Sequence, residues 1–350
     1  RTVASGSILV DEEWFPWLGN DARQPLHTLT EQRPTTTTVG GDGPGLHEAQ
    51  PDLVKAPSIN STTRQDLSFL NLFSGPIGVE GGLADHLRRL GWAHVSEYDN
   101  STTSGGGWHL DLLNDQVYSK LLASAKRGEF HAIMVAFPCS TFSIARFFDA
   151  TSDDGGDRGP RPVRTLKYPD GIPESELDPK HRKELKRSTR LLDRAVEICI
   201  AARSSTSNAT LIWENPADRT TPGTPHFMPE FAEKHGSLFN TSAIRRLTDA
   251  IPSVSSCTFA SCRFGAPSQK YSTLFYTNDA APVLDLLSSP DHQCNHPPGT
   301  HEKMAGGRND KHGWASEEAS AYPTELCAKL AAAFTFARTG SPGLIPGGRA

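Results

Sequence analysis

Nowhere do apolar residues run on for the roughly 18 positions that a bilayer-spanning helix needs, so no membrane span is expected. The start of the chain, from Arg1, has neither an initiator Met nor the charged-then-apolar pattern of a secretory leader. Cysteine is sparse. Six are scattered through 350 residues, without the spacings of a secreted disulfide scaffold, which favours a reducing, intracellular setting. Nor is there a large charge of one sign: a net charge of −5 does not announce a nucleic-acid binder, although local charge matters more than the sum. Aliphatic residues are modest in number, while 30 Gly and 26 Pro point to many loops around one compact core. The length suits one large domain or two small ones.

What is present is unevenly distributed. Residues 1–65 show little periodicity and include Thr35-Thr36-Thr37-Thr38 and a Gly-rich run at 40–45, so they read as a flexible lead-in. Trp14, Phe15 and Trp17 stand out there as a patch that docks on the core or a short binding motif. Residues 341–350 read as a Gly/Pro linker, and the two ends together suggest a piece of something longer. Between them, apolar strand-like runs at 67–73, 94–98, 131–137 and 210–214 alternate with helical patterns at 82–90, 115–127 and 182–203. In the last of these, Leu192, Ala195, Val196, Cys199 and Ile200 share one face. This alternation predicts an α/β domain with a mostly parallel, doubly wound sheet. Two further runs, 253–261 and 271–277, have no helical pattern between them and predict an antiparallel edge pair. Between Arg158 and Arg194 eleven Lys/Arg face six Asp/Glu, a local basic excess that by itself describes a solvated helix face and loop.

In a doubly wound sheet, ligands sit at the C-terminal ends of the strands, and four segments place special residues there. Phe73-Ser74-Gly75-Pro76-Ile77-Gly78 follows the first strand; its glycines allow close backbone approach to a cofactor. Glu97-Tyr98-Asp99 closes the second strand, about 20 residues on, where an acid can accept hydrogen bonds from ribose hydroxyls. Pro138-Cys139 follows the third. A free Cys is most often a small core residue, but one after Pro at a strand end is placed to be exposed and reactive, with a thiol near its free pKa of about 8.5. Glu214-Asn215 ends the fourth strand. A Glu there is either a capped or salt-bridged carboxylate, or an acid whose pKa is raised enough to hold a proton.

Together these segments resemble the cytosine-C5 DNA methyltransferase family over roughly residues 67–336, and in particular the methylase-like domains of algal retroelement-type polyproteins. Leu72-Phe73-Ser74-Gly75 is similar to the family's first cofactor segment, Glu97-Tyr98-Asp99 to its ribose-binding acid, and Asp111 to an acid near the adenine. Pro138-Cys139 and Glu214-Asn215 resemble the catalytic pairs. Gly265-Ala266-Pro267-Ser268-Gln269-Lys270 resembles the later Pro-Gln-x-Arg segment. Ala321-Tyr322-Pro323, opening a last amphipathic helix, resembles the segment that closes the cofactor site. The resemblance implies a Rossmann-like methyltransferase fold over residues 66–340 with S-adenosylmethionine as cofactor. Phe73, Ser74, Gly75, Gly78, Glu97, Tyr98, Asp111 and Pro138 would hold that cofactor. Cys139 would be the nucleophile, Glu214 the acid, and Lys270 a third catalytic residue that could also meet phosphate. DNA is the implied substrate, RNA the alternative, and a nuclear location follows if the source is eukaryotic. A catalytically weak nucleic-acid-binding module of a longer polyprotein is the rival reading from another class. The basic, Gly-rich stretch 153–164 would close over a flipped base, with Arg158, Arg161 and Arg164 at phosphates.

The chain departs from the family at several points. Asn71 stands where Asp is usual, Phe137 where a second Pro is usual, and Lys270 and Ser272 replace arginines. Only about 43 residues separate Thr277 from Ala321, where the family holds a large target-recognition region. That short insert, 279–320, forms a small C-terminal loop module with its own signal. His292, Cys294, His296 and His301, with Cys257 and Cys262 just upstream, either form a His-rich surface loop or bind zinc tetrahedrally. Cys262, Cys294, His296 and His301 are the candidate ligands, and a zinc-stapled loop could stand in for the missing region.

Overall fold

The computed structural model describes residues 66–147, 160–297, 299–302 and 321–341. Expectations for residues 1–65, for Arg158 and for most of the tail lie outside the described residues. Six strands form one sheet: β1 (Ser68–Leu72), β2 (His94–Tyr98), β3 (Ala132–Ala136), β4 (Thr210–Pro216), β5 (Val254–Ala260) and β6 (Tyr271–Thr277), in the order β2-β1-β3-β4-β6-β5. The first four pair in parallel. β6 runs antiparallel to both β4 and β5, so the protein is α/β with a mostly parallel sheet and an antiparallel edge pair.

Side chains alternate across a strand, and here both faces are apolar. Leu70 and Leu72 of β1, with Val135 and Trp213, pack under α2 (Asp115–Lys126), α3 (Pro179–Arg203) and α4 (Ser242–Ala250). Phe69, Met134, Ile212 and Leu274 point the other way. They pack against α1 (Leu83–Arg89), the short α5 (Ala281–Leu284) and α6 (Thr324–Thr339). Two-sided burial explains why β1, β3 and β4 read as largely apolar runs rather than alternating ones, whereas β2, at the sheet edge, is half-exposed.

The element ends have local causes. α3 begins at Pro179, earlier than its apolar periodicity suggests, because Asp178 caps it by accepting from His181 N at 2.9 Å and Pro179 suits the first turn. α4 has no counterpart among the expected elements; Thr241 caps it, and its nine residues bury Ala243, Ile244 and Leu247. α6 is less one-sided than an amphipathic reading implies. Leu330, Ala331, Ala333 and Phe334 are all fully buried, and Thr335 accepts from Trp92 Nε1 at 3.0 Å. Cys199 and Cys327 are buried packing residues, as their helical positions suggest. Among the described residues no helix is long and apolar enough to cross a membrane.

Candidate active site

β2 lies on one side of β1 and β3 on the other, so the chain reverses its direction of travel across the sheet between β1 and β3. Such a switch point opens a crevice at the strand C-termini. A cavity of about 170 Å³ lies there, lined by Leu72 and Phe73 after β1, Tyr98 and Asp99 after β2, and Pro138 and Ser140 after β3. Asp111 and Leu112 close one wall, and α3 contributes Glu184, Arg187 and Leu191.

The turn after β1 is built to approach a ligand. Phe73 takes φ 60°, and Gly75 and Gly78 take φ 70° and 72°. A Cβ at either glycine would meet nothing within 4 Å, so open space adjoins the turn. The turn is pinned to β2: Phe73 N and Ser74 N donate to Tyr98 O at 2.7 and 3.1 Å, and Gly75 N donates to Asp99 Oδ2 at 3.0 Å. Asp111 is buried; its Oδ1 accepts from Leu113 N at 2.8 Å and its Oδ2 from Asn100 Nδ2 at 3.1 Å, with Arg187 at 3.5 Å. Behind the wall, Gly106 admits no side chain, because a Cβ would stand 2.1 Å from Asp99 O.

Glu97 takes a different position from the one its sequence context suggests. It is not among the residues lining the cavity; instead it bonds Arg88 of α1 at 3.0 Å. The reason is strand alternation: Tyr98 turns toward the cavity and Leu72, so its neighbour Glu97 turns toward the face that carries α1. Asp99 is the acid of that segment that lines the cavity.

The reactive side chains gather on the next strands. β3 runs into Pro138 and a 3₁₀ turn, Cys139–Thr141, which leaves Cys139 half-buried. β3 and β4 pair Ala136 with Glu214, and Asn215 Nδ2 donates to Phe137 O at 3.0 Å, which fastens the two strand ends together. Glu214 is buried at 5% exposure. Its Oε2 accepts from Tyr322 Oη at 3.0 Å, and Lys270 Nζ stands 3.5 Å from its Oε1. Lys270 reaches it because β6 lies beside β4, with Pro216 opposite Ser272.

These groups set one another's charge. Burial pushes the Cys139 thiol up from its ordinary value; the Lys270 ammonium pulls it down, and the Glu214 carboxyl pushes it up again. The net direction is upward, where the sequence context suggested a thiol near its free value. Burial works to lower the Lys270 pKa, but Glu214 and Cys139 outweigh it, so the ammonium form is held more firmly than in water. Tyr322 is raised well above its ordinary value by burial and by Glu214, so it stays a neutral donor.

Two residues at the site were not singled out by their sequence context. Tyr322 lies in the segment that opens the last helix, where nothing in its neighbours points to a contact with Glu214. Arg146 had no signal at all, being a lone Arg in a loop. It is buried and donates to Ser140 O, to Arg161 O at 2.7 Å and to Glu184, which clamps the Cys139 turn against α3.

The three arginines expected at phosphates part company. Arg158 lies outside the described residues, and Arg161 is exposed. Arg164 is buried at 1% exposure, donates to Pro169 O and Thr189 Oγ1 at 2.9 Å each, and covers the Phe142 ring at 4.5 Å. Burial lowers its pKa to about 10. A guanidinium enclosed in this way holds the loop to α3 and does not reach a phosphate.

A second cluster lies beyond β5 and β6. One ligand atom from each of Cys262, Cys294, His296 and His301 lies within 4.8 Å of all the others. Comparison with protein-family models and with curated proteins finds no match.

Proposed function

We propose that this chain is a methyltransferase with a Rossmann-like methyltransferase fold, acting from S-adenosylmethionine on C5 of cytosine in DNA. One observation carries the reading. Cys139, Glu214 and Lys270 converge at the ends of adjoining strands, directly beside a cavity at the switch point of the sheet. Pro138 lines that cavity and Cys139 is the next residue, so the nucleophile and the cofactor space share a wall.

The residues fit the cofactor. Leu72, Phe73, Tyr98 and Leu112 offer apolar surface for a purine. Asp99 and Asp111 offer acceptors for hydroxyl and amino groups, and the open space beside Gly75 and Gly78 admits the amino-acid end. When bound, S-adenosylmethionine supplies an electrophilic methyl group.

The protein's own side chains make cytosine a match for that methyl. C5 of cytosine is too weak a nucleophile unaided. The Cys139 thiolate forms a bond to C6, which moves electron density to C5. Glu214, entering as the acid, lends a proton to N3, and the Lys270 ammonium 3.5 Å away keeps its own proton and stabilises the carboxylate left behind. C5 so activated would accept the methyl that S-adenosylmethionine supplies, the S–CH3 bonding pair staying on the cofactor's sulfur. Loss of the C5 proton to solvent, with rupture of the C6–S bond, restores the ring and the thiolate. The N3 proton returns in the same step. Tyr322 holds the Glu214 carboxyl in position throughout. In a duplex, the base is first extruded into the site.

The test is a DNA oligonucleotide containing 5-fluorocytosine, incubated with the protein and S-adenosylmethionine. Fluorine cannot leave C5 as a proton does, so the wild type should stall as a covalent adduct that survives denaturing electrophoresis. Cys139→Ala should give no adduct while still binding the cofactor by calorimetry. An adduct formed on RNA alone would change the substrate class. No adduct on either, or one that persists in Cys139→Ala, would overturn the mechanism.

A further inference from the structure

The described residues outside the methyl-transfer site contain one group of side chains with the composition and geometry of a metal centre. Cys294 Sγ lies 3.6 Å from His296 Nδ1 and 3.6 Å from His301 Nε2, and the two nitrogens are 3.2 Å apart. Tetrahedral zinc, with Zn–S near 2.3 Å and Zn–N near 2.0–2.1 Å, requires S···N edges of about 3.6 Å and N···N edges of about 3.3 Å. These three edges match those lengths. Cys262 completes the set from the other side of the β5–β6 connection. Cys262 and His301 are buried, and Cys294 and His296 are half-buried.

The chemistry of the donors narrows the metal. Two thiols and two imidazoles with no carboxylate disfavour Mg²⁺ and Ca²⁺ and suit Zn²⁺. Four protein ligands leave no open position, which is the mark of a structural site rather than a catalytic one.

The location of the cluster gives it a second consequence. Ser261 N donates to Lys270 O at 2.8 Å, Glu302 N donates to Pro267 O at 3.1 Å, and Cys294 N donates to Tyr271 Oη at 3.3 Å. The 261–271 loop, which delivers Lys270 and carries Cys262, is thus closed on itself at its neck and tied through Pro267 and Tyr271 to the 294–302 segment that carries the other three residues. Cys262 and Tyr271 pack together with Ala217, two residues beyond Asn215, and Cys294 covers them.

We propose that Cys262, Cys294, His296 and His301 bind one Zn²⁺ as a closed structural site, and that the metal clamps the 261–271 loop so that Lys270 stays against Glu214. The metal assignment is independent of the methyl-transfer reading. The clamp rests only on the contact between Lys270 and Glu214, which is geometric.

The full chain, refolded with equimolar Co²⁺ and separately with Zn²⁺, tests both clauses. One metal per chain is expected, and Co²⁺ should give the visible bands of a tetrahedral ion with a thiolate charge-transfer band. Cys294→Ser and His296→Ala should each lose stoichiometric binding, while Cys257→Ser, at a buried cysteine outside the cluster, should keep it. A folded wild type that takes up no metal, or a Cys294→Ser variant that binds as before, would overturn the site in favour of a merely hydrogen-bonded cluster. For the clamp, the alkylation of Cys139 is followed against pH by mass spectrometry of its peptide. Removing the metal should move that profile upward, in the same direction as Lys270→Met. A metal that binds and leaves the Cys139 profile unchanged on removal would overturn the clamp while leaving the site intact.

Discussion

Cys139 sits under two neighbours of opposite sign, and its reactivity should report both. Burial raises its pKa, Lys270 lowers it and Glu214 raises it. Iodoacetamide labelling of Cys139 should therefore rise with pH about a midpoint above the free thiol value of about 8.5. Lys270→Met removes the stabilising cation and should move the midpoint up by about one pH unit; Glu214→Gln removes the opposing charge and should move it down by a similar amount. Unchanged midpoints in both variants would show that neither side chain faces the sulfur. The strand-end position of Cys139 was legible from its neighbours, because an apolar run into Pro-Cys is a local pattern. Its elevated pKa was not, because that depends on side chains from β4 and β6, far along the chain. Tyr322 makes the same point, since its contact with Glu214 spans 108 residues.

At the scale of elements, the loop after the Cys139 turn shows how a charged residue can be structural. Arg164 joins Pro169 O and Thr189 of α3 and lies on Phe142. Arg164→Ala would leave Thr189 and the Pro169 carbonyl without this donor and open a void. It should cost about 2–3 kcal/mol in urea denaturation. Arg161→Ala, at an exposed position, should change stability by no more than about 0.5 kcal/mol. Equal effects would mean that Arg164 is not buried as described. In sequence the two arginines are indistinguishable, each a basic residue in a Gly- and Pro-rich stretch. The strands fared better than the helix ends because apolar runs and turn residues mark them locally. The start of α3 was hidden because capping by Asp178 extends a helix past its periodic face. α4 was missed because nine residues with three buried positions carry too short a pattern.

For the whole molecule, the basic excess between 158 and 194 is smaller in effect than in number. Arg164 is buried. Lys186 pairs with Glu174, Arg187 with Asp111, and Arg190 and Arg194 with Asp115. Lys167 is exposed, with its ammonium over the Tyr168 ring at 5.0 Å. Arg161, Lys180 and Lys183 are exposed too and make no ion pair among the described residues. If these three meet phosphates under the proposed function, the logarithm of DNA affinity should fall with the logarithm of salt concentration with a slope of about −3. Fluorescence anisotropy across a salt series checks this. Replacing all three by Gln should flatten the slope, and an unchanged slope would place the nucleic-acid path elsewhere. The sequence by itself determined the α/β alternation, the antiparallel edge pair and the strand ends that carry Cys139 and Glu214, because periodicity and turn chemistry are written in neighbouring residues; Lys270 was marked only by the resemblance, and the Cys/His set only by its spacing. Only the tertiary structure decided that Glu97 turns to Arg88, that Arg164 is enclosed, that Tyr322 bonds Glu214, and that Cys262 meets Cys294, His296 and His301. Each of these depends on strand register and on which face a side chain presents, and those are settled when distant segments pack.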